Sequence, residues 1–485
     1  MPVSTDRPAD GLRGIKRMGF WGPRKAIEAP AAQHMHRLHR TLGWPHLIAL
    51  GVGAIVGTGI LTLTGVGAAL AGPGVILSFL IAGLVCAAAA LAYAELATMI
   101  PQSGSAYTYS YVAVGETIAW IVGWSLILEY SVVCSTVAVG WSGYFAGFME
   151  ASGWGLPKEL IAGPDAGGVI NLPAIAIIAA VAGLLLVGTR ESATLNTILV
   201  VLKIAALAMF VAITLPAFSS DNFVPFMPHG FFSEVGPDGT KRGVLAAASI
   251  IFFAFYGFDA VSTAAEEARN PERDMTIGIV GSMLACVLIY MAVAASAIGA
   301  VPVAQFADSA EPLALVLRSL GADVPAKIFG AIAVIALPTV ILAFLFGQTR
   351  IFFVMARDGL LPARLGRVNP KSGVPTFVTI ATAVIVAIIA AFLPLAEIAA
   401  LANAGTLCAF VAVGFSMLLL RRREPGRARP FRVPLAPLVG VVCIAGCVAL
   451  FITLPGATQV RFLVWNALGL GLYFVLRKKH SAAEG

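Results

Sequence analysis

Runs of about 20 apolar residues, each long enough to cross roughly 30 Å of hydrocarbon, recur along nearly the whole of this chain. A water-facing surface cannot be built from them. Only 12% of the 485 residues are charged and 59% are hydrophobic, against roughly 25% charged in a soluble domain. The mean hydropathy is +0.90. Barrel strands would be about ten residues long and would alternate in polarity, and these runs do not alternate. The spans are therefore helices, and the fold class is an all-α membrane protein. Twelve are expected, over about residues 45–69, 74–99, 113–147, 172–188, 194–216, 244–265, 275–301, 326–349, 376–393, 397–420, 434–455 and 461–476. The third is long enough to tilt or to extend beyond the bilayer.

Residues 1–43 are basic and lack an apolar core. No cleavable signal peptide is read there, and the segment is expected to be a cytoplasmic tail. With the N-terminus inside, the inner segments carry 25 Lys and Arg and the outer ones six, while Lys203 lies within a span. An excess of that kind on the inner loops places both termini in the cytoplasm. It also accounts for the net charge of +7 without nucleic acid. The basic run RRREPGRARPFR at 421–432 reads as a short inner loop touching anionic lipid.

The six cysteines (Cys86, Cys134, Cys286, Cys408, Cys443, Cys447) fall within spans, and no CxxC occurs. The six histidines lie in tails, loops or span ends, so no metal site is expected. There is no Walker motif to bind ATP, no Ser-His-Asp constellation, and no cofactor is expected.

Two spans are interrupted. The first reads GVGAIVGTGILTLTG over 51–65, with Gly51, Gly53, Gly57 and Gly59 at mid-span. Glycine inside a helix costs up to about 1 kcal/mol relative to Ala. Close helix packing through Gly53 and Gly57 is one reading of this pattern. The sixth span reads FFAFYGFDAVSTAAEE over 252–267, again with Gly257 and an ionisable residue, Asp259, at its centre. The interruptions sit at equivalent positions of two five-helix units, and an odd number of spans inverts the second unit. That pairing points to a midplane site between inverted repeats. Unwinding frees N–H groups at Thr58, Gly59 and Ile60, which suit a carboxylate at a half-helix start. It also frees carbonyls near Ile55, Phe253, Ala254 and Tyr256, which suit an ammonium. Together these match the backbone of a zwitterionic amino acid.

The chain resembles the amino acid–polyamine–organocation superfamily, and within it the bacterial branch of the cationic amino acid transporter family. The resemblance is carried by RTLGWPHLIALGVGAIVGTGIL (40–61), AYAELATMIPQSGSAYTYSYVAVGE (92–116), IVGWSLILEYSVVCSTVAVGWSGY (121–144), FAFYGFDAVSTAAEEARNPERDMTIGI (253–279) and GQTRIFFVMARDGLLP (347–362). It covers roughly residues 38–475. It implies a leucine-transporter-like five-plus-five inverted repeat followed by two further helices, in a bacterial inner membrane. The expected divisions are a tail at 1–43, a first repeat at 44–220, a second at 221–420, two helices with a basic inner loop at 421–477, and a tail at 478–485.

Three ionisable residues fall inside spans. Lys203 lies mid-span in NTILVVLKIAALAMFV, where a charge costs roughly 2.5–3.5 kcal/mol on insertion scales and is too far from either end to snorkel comfortably. One reading is a structural ion pair. The resemblance implies another: in proton-coupled relatives a lysine on helix five replaces a sodium ion, contacting a helix-one carbonyl when charged and releasing it when neutral. Glu129, in LILEYSVV, is either a hydrogen-bonded brace or part of the pocket, and Asp259 is either a cap for the inner half-helix or a site residue. Tyr256, Glu129 and the stretch from Thr339 to Phe346 are expected to line the side-chain pocket. Thr339 is the only hydroxyl in VIALPTVILAFLFG, too few oxygens for sodium. The inner segments EEARNPERDM (266–275) and MARDGLLPARLGRVNP (355–370) carry opposite charges that suit a gate, or are ordinary topology loops.

Three functions remain open at this point: a proton-coupled amino acid importer, a sodium-coupled or uncoupled exchanger of the same fold, and an amino-acid-binding sensor. The family name suggests cationic substrates, whereas the scarcity of acidic residues favours a small or neutral one. The expected partners are the substrate, a proton and membrane lipid, with the chain acting alone or with one small membrane-protein subunit.

Overall fold

The apolar runs become helices because their backbone groups have no other partner in hydrocarbon. The computed structural model describes residues 17–19, 22–25, 42–102, 104–187, 193–237, 239–263, 265, 268–367, 369 and 375–483, with backbone only for 17–19, 187, 193–196, 263 and 478–483. Most of the basic tail, Arg190, Glu266, Glu267 and Lys371 lie outside the described residues. Among them, nine helical stretches are long and apolar enough to cross a membrane. Three shorter apolar helices, Trp44–Ile55, Leu172–Leu186 and Thr376–Phe392, accompany them.

Numbered after the twelve spans expected from the sequence, span 1 corresponds to Trp44–Ile55, Thr58–Leu61 and Leu63–Ala71. Span 2 is Val75–Met99, span 3 Glu116–Ala151, span 4 Leu172–Val187 and span 5 Ala193–Thr214. Span 6 consists of Val244–Ile251, a 3-10 turn at Phe252–Phe255, and Phe258–Thr263. Span 7 is Pro271–Ala300, and span 8 joins Asp323–Ala336 to Pro338–Arg357. Spans 9 to 12 are Thr376–Phe392, Leu395–Arg423, Ala436–Thr453 and Gly456–Ala483. At 36 residues, span 3 is about 54 Å long at 1.5 Å per residue, so it reaches well past the hydrocarbon. Two short helices, Ser105–Ala113 and Pro312–Ser319, escape the apolar-run reading. The only strands among the described residues form two small hairpins, Arg17–Gly19 with Gly22–Arg24 and Glu234–Val235 with Lys241–Arg242.

Burial divides the bundle into centre and rim. The most apolar windows of spans 3, 6 and 10 are 78%, 89% and 78% buried, whereas those of spans 11 and 12 are 28% and 17% buried. Spans 11 and 12 are anchored by polar contacts. At the end of span 2, Glu95 accepts from Arg421 Nε at 2.9 Å and from the Val433 amide at 2.8 Å. Glu116 accepts from Tyr473 of span 12 at 2.9 Å. Trp124 stacks on Trp465 with centroids 4.7 Å apart.

Where helices are irregular, neighbouring side chains take up the freed carbonyls, as burial requires. Pro338 has no N–H and so leaves the carbonyl four residues earlier without its helix partner. That carbonyl, Val334, accepts from the Trp141 indole at 2.8 Å. Leu61, just past the span 1 break, accepts from Tyr144 at 2.7 Å.

Candidate functional site

Span 1 leaves helical geometry at Val56 and Gly57, and span 6 leaves it between Phe255 and Phe258. Gly257 has φ +111°, a conformation that glycine adopts without the penalty of a side chain. The two breaks pack on each other reciprocally. A Cβ on Gly59 would lie 2.3 Å from Ala254 Cα, and one on Gly257 would lie 2.7 Å from the Ala54 carbonyl carbon. Each break thus seats its glycine on an alanine of the other. Gly59 must be small for backbone to meet backbone there, and it also borders the cavity between the breaks. Gly57 differs, since its Cβ would make an ordinary 3.6 Å contact with Val340.

Between the breaks lies a cavity of about 230 Å³ bordered by Ile55, Gly57, Thr58, Gly59, Phe253 and Tyr256 of the expected set, together with Ala54. The rest of its wall is Val133 and Val137 of span 3 and Val340 and Phe344 of span 8. The last two fall within the expected Thr339–Phe346 stretch. Ile60 and Ala254 are buried behind the lining. Glu129 is also outside the wall, contrary to the expectation that it would line the pocket. It sits one turn before Val133, only 1% exposed, with Gly405 of span 10 so close that a Cβ there would lie 3.0 Å from its own. Its Oε2 has no hydrogen-bond partner among the described residues. Asp259 accepts from its own break's Gly257 amide at 3.3 Å and from Tyr130 at 3.3 Å. That geometry is of the capping kind.

The polar groups facing this cavity are few. Thr58 Oγ1 is buried without a hydrogen-bond partner among the described residues, at the start of the half-helix whose first-turn N–H groups have no helical acceptor. The Ile55 carbonyl, expected to be free for an ammonium, accepts from Tyr290 of span 7 at 2.8 Å. Lys203, 5% exposed, donates to the Gly53 carbonyl at 3.1 Å and to Thr339 Oγ1 at 3.4 Å. It thereby joins span 5 to spans 1 and 8 on the N-terminal side of the first break.

Glu266 and Glu267, charged members of one expected gate segment, lie outside the described residues; among the described residues a different pair is seen. Asp358, at the end of span 8, pairs with Lys25 of the N-terminal tail at 3.0 Å and accepts from Tyr107 at 2.9 Å. The loop before span 7 instead bridges Leu42 through backbone, with the Arg269 amide donating to the Leu42 carbonyl at 2.8 Å. Sequence reasoning missed Asn403, Tyr290 and Tyr130. Each contacts a break from a span far away in the chain, a relation with no local signal. Among the described residues no group of His, Cys, Asp and Glu could hold a metal.

The chain matches the amino acid permease family over residues 42–475. It is 45% identical to the branched-chain amino acid permease BcaP of Bacillus subtilis (strain 168), over 92% of this chain and 94% of that one. It is 39% identical to the methylthioribose transporter of the same organism, over 94% and 98%. To the vacuolar cationic amino acid transporter 2 of Arabidopsis thaliana it is 38% identical, over 83% of this chain and 63% of that one. With its apolar helix bundle and matches of this extent, the chain is a multi-pass membrane permease, not an enzyme, and belongs to the amino acid permease family of the amino acid–polyamine–organocation superfamily.

Proposed function

We propose that this permease imports neutral aliphatic amino acids, branched-chain ones among them, across a bacterial inner membrane by proton symport through Lys203. The observation that carries the coupling is the 3.1 Å contact from Lys203 to the Gly53 carbonyl. A charge-assisted hydrogen bond is roughly twice as strong as a neutral one. Protonated Lys203 therefore pins the inner half of span 1, and loss of the proton loosens it, which couples proton release to inward opening. The contact to Thr339 puts the ammonium between spans 1 and 8, where sodium would need several oxygens.

The substrate reading rests on the cavity wall. Its side-chain end is Val133, Val137, Val340, Phe344 and Phe253, with no charged group. A cationic side chain there would be stripped of water without a counter-charge, which is costly, while an aliphatic one gains about 25 cal/mol per Å² buried. The name of the Bacillus subtilis relative at 45% identity specifies branched-chain substrates, in line with such a wall. The carboxylate is assigned to the amides of Thr58, Gly59 and Ile60 with the Thr58 hydroxyl, and the ammonium to carbonyls of Phe253, Ala254 and Tyr256. Glu129 and Asp259 belong to the inner floor beneath the site.

The same reading takes residues 44–220 and 221–420 as inverted repeats, consistent with the reciprocal glycine contacts. Both termini are cytoplasmic, the loop at 421–432 rests on anionic lipid, and the chain works alone or with one small membrane-protein subunit. The test is uptake into proteoliposomes with an imposed pH gradient and no sodium, with leucine, valine, alanine, lysine and arginine compared. Leucine and valine should accumulate and lysine should not compete. Sodium-dependent uptake, or preference for lysine, would overturn the corresponding half of the proposal.

A further inference from the structure

Asn403 lies in span 10, fully buried, and touches the span 6 break at both ends. Its Nδ2 donates to the carbonyls of Ser249 at 2.6 Å and Ile250 at 3.0 Å, and its Oδ1 accepts from the Tyr256 hydroxyl. Carbonyls only accept, so the amide orientation is dictated: nitrogen toward span 6 and oxygen toward the tyrosine. The Ser249 and Ile250 carbonyls are among the last of the outer half-helix, where the chain turns into the 3-10 segment Phe252–Phe255. One side chain therefore holds the start of the unwound segment and the residue at its far end. Between these points stands Phe253, whose ring lies 5.1 Å from that of Tyr256. Both rings belong to the cavity wall.

We infer that Asn403 is a positioning residue that sets side-chain selectivity by fixing the Phe253–Tyr256 wall from span 10. This rests on the substrate lying between the two breaks. Without Asn403 the Tyr256 hydroxyl keeps only its hydrogen bond with Thr406 of the same span 10, and the start of the unwound segment is released, so the wall no longer holds one shape. Lys203 is on the other side of span 1 and is untouched. The expected consequence is altered discrimination with coupling intact.

The experiment compares Asn403→Ala, Tyr256→Phe and the double variant in proteoliposomes, with leucine, valine, alanine and phenylalanine as probes, normalised to folded protein. Asn403→Ala should raise KM for leucine about tenfold, the scale of one lost buried hydrogen bond. It should also narrow the spread of KM among the four probes, leaving the pH-driven accumulation ratio at saturating substrate unchanged. Tyr256→Phe should change the ranking in the same direction, and the double variant should be no worse than Asn403→Ala. A purely structural role would scale all four substrates alike. An unchanged ranking in both single variants, or multiplicative effects in the double variant, would overturn the inference. Should Asn403→Ala fail to accumulate in the membrane, Tyr256→Phe carries the test alone, and an unchanged ranking in that variant overturns it. Gly57→Leu, which projects into the cavity against the Val340 side chain rather than into backbone, separates the underlying site reading. If that variant transports normally, the placement between the breaks is wrong. If it is inactive while Asn403→Ala matches the parent, only the role of Asn403 falls.

Discussion

Lys203 Nζ lies 3.1 Å from the Gly53 carbonyl oxygen, three residues before the chain leaves helical geometry at Val56. A side chain from span 5 thus holds the last helical turn before the first break. Arginine at this position would stay charged at every accessible pH. Lys203→Arg should therefore bind substrate yet turn over at least about tenfold more slowly, on the premise that release needs the neutral amine. Binding by thermal shift and uptake in proteoliposomes measure the two sides separately. Uptake at the parental rate would show that deprotonation is not part of the cycle.

The two mid-span glycines of the first break should respond differently. Gly59→Ala forces its methyl to 2.3 Å from Ala254 Cα, backbone that cannot step aside. Transport should fall below detection while the protein still reaches the membrane. Gly57→Ala meets only Val340 at 3.6 Å. It should keep alanine uptake and raise KM for leucine several-fold, about one methylene's worth of pocket at 10- to 200-fold at most. Competition uptake with both substrates separates the cases.

Side-chain size should be read by span 8. Val340→Phe fills the cavity near Gly57 and should favour alanine over leucine by roughly 10-fold or more, leaving the sodium-independence of uptake unchanged. The ratio of inhibition constants for the two amino acids is the direct readout. A parallel loss for both would mean that Val340 does not face the substrate side chain.

Spans and breaks were largely readable in the sequence because their causes are local. An apolar run has no alternative in hydrocarbon to a helix, so expected limits such as 376–393 differ little from Thr376–Phe392. Gly57 and Gly257 marked the interruptions through the cost of glycine in a helix. The packing of Gly59 on Ala254 gave no signal of its own, since a glycine facing a ligand and one facing another backbone leave the same letter. Asn403 gave no signal beyond a polar residue in an apolar run, and its partner Tyr256 is 147 positions away. Tyr107, Tyr109 and Tyr111 hid the inner helix Ser105–Ala113, whose residues are buried by the tail and neighbouring spans and show no apolar stripe. The Lys25–Asp358 pair joins positions 333 apart, a relation that the charge pattern of the loops does not signal.

Glu95 anchors the C-terminal end of span 10 and the segment leading to span 11 through Arg421 and the Val433 amide. Removing one partner of a buried pair costs about 3–5 kcal/mol. The exposed flank of Arg421, 21% accessible, brings the expectation to the lower end of that range or below it. Glu95→Ala should lower thermal stability in detergent and leave the substrate ranking as in the parent. A changed ranking at normal stability would tie this end of the bundle to the site instead.

Proton coupling through Lys203 is tested most directly by amino acid accumulation in proteoliposomes containing Lys203→Ala, under an imposed pH gradient and an inside-negative membrane potential without sodium. A membrane potential of 100 mV is worth about 2.3 kcal/mol per charge, so one symported proton supports roughly fifty-fold accumulation of a neutral amino acid in the parent. Lys203→Ala should retain leucine binding and exchange and lose this accumulation altogether. If Lys203→Ala accumulates leucine like the parent, or if the parent requires sodium and ignores the pH gradient, the lysine does not carry the coupling.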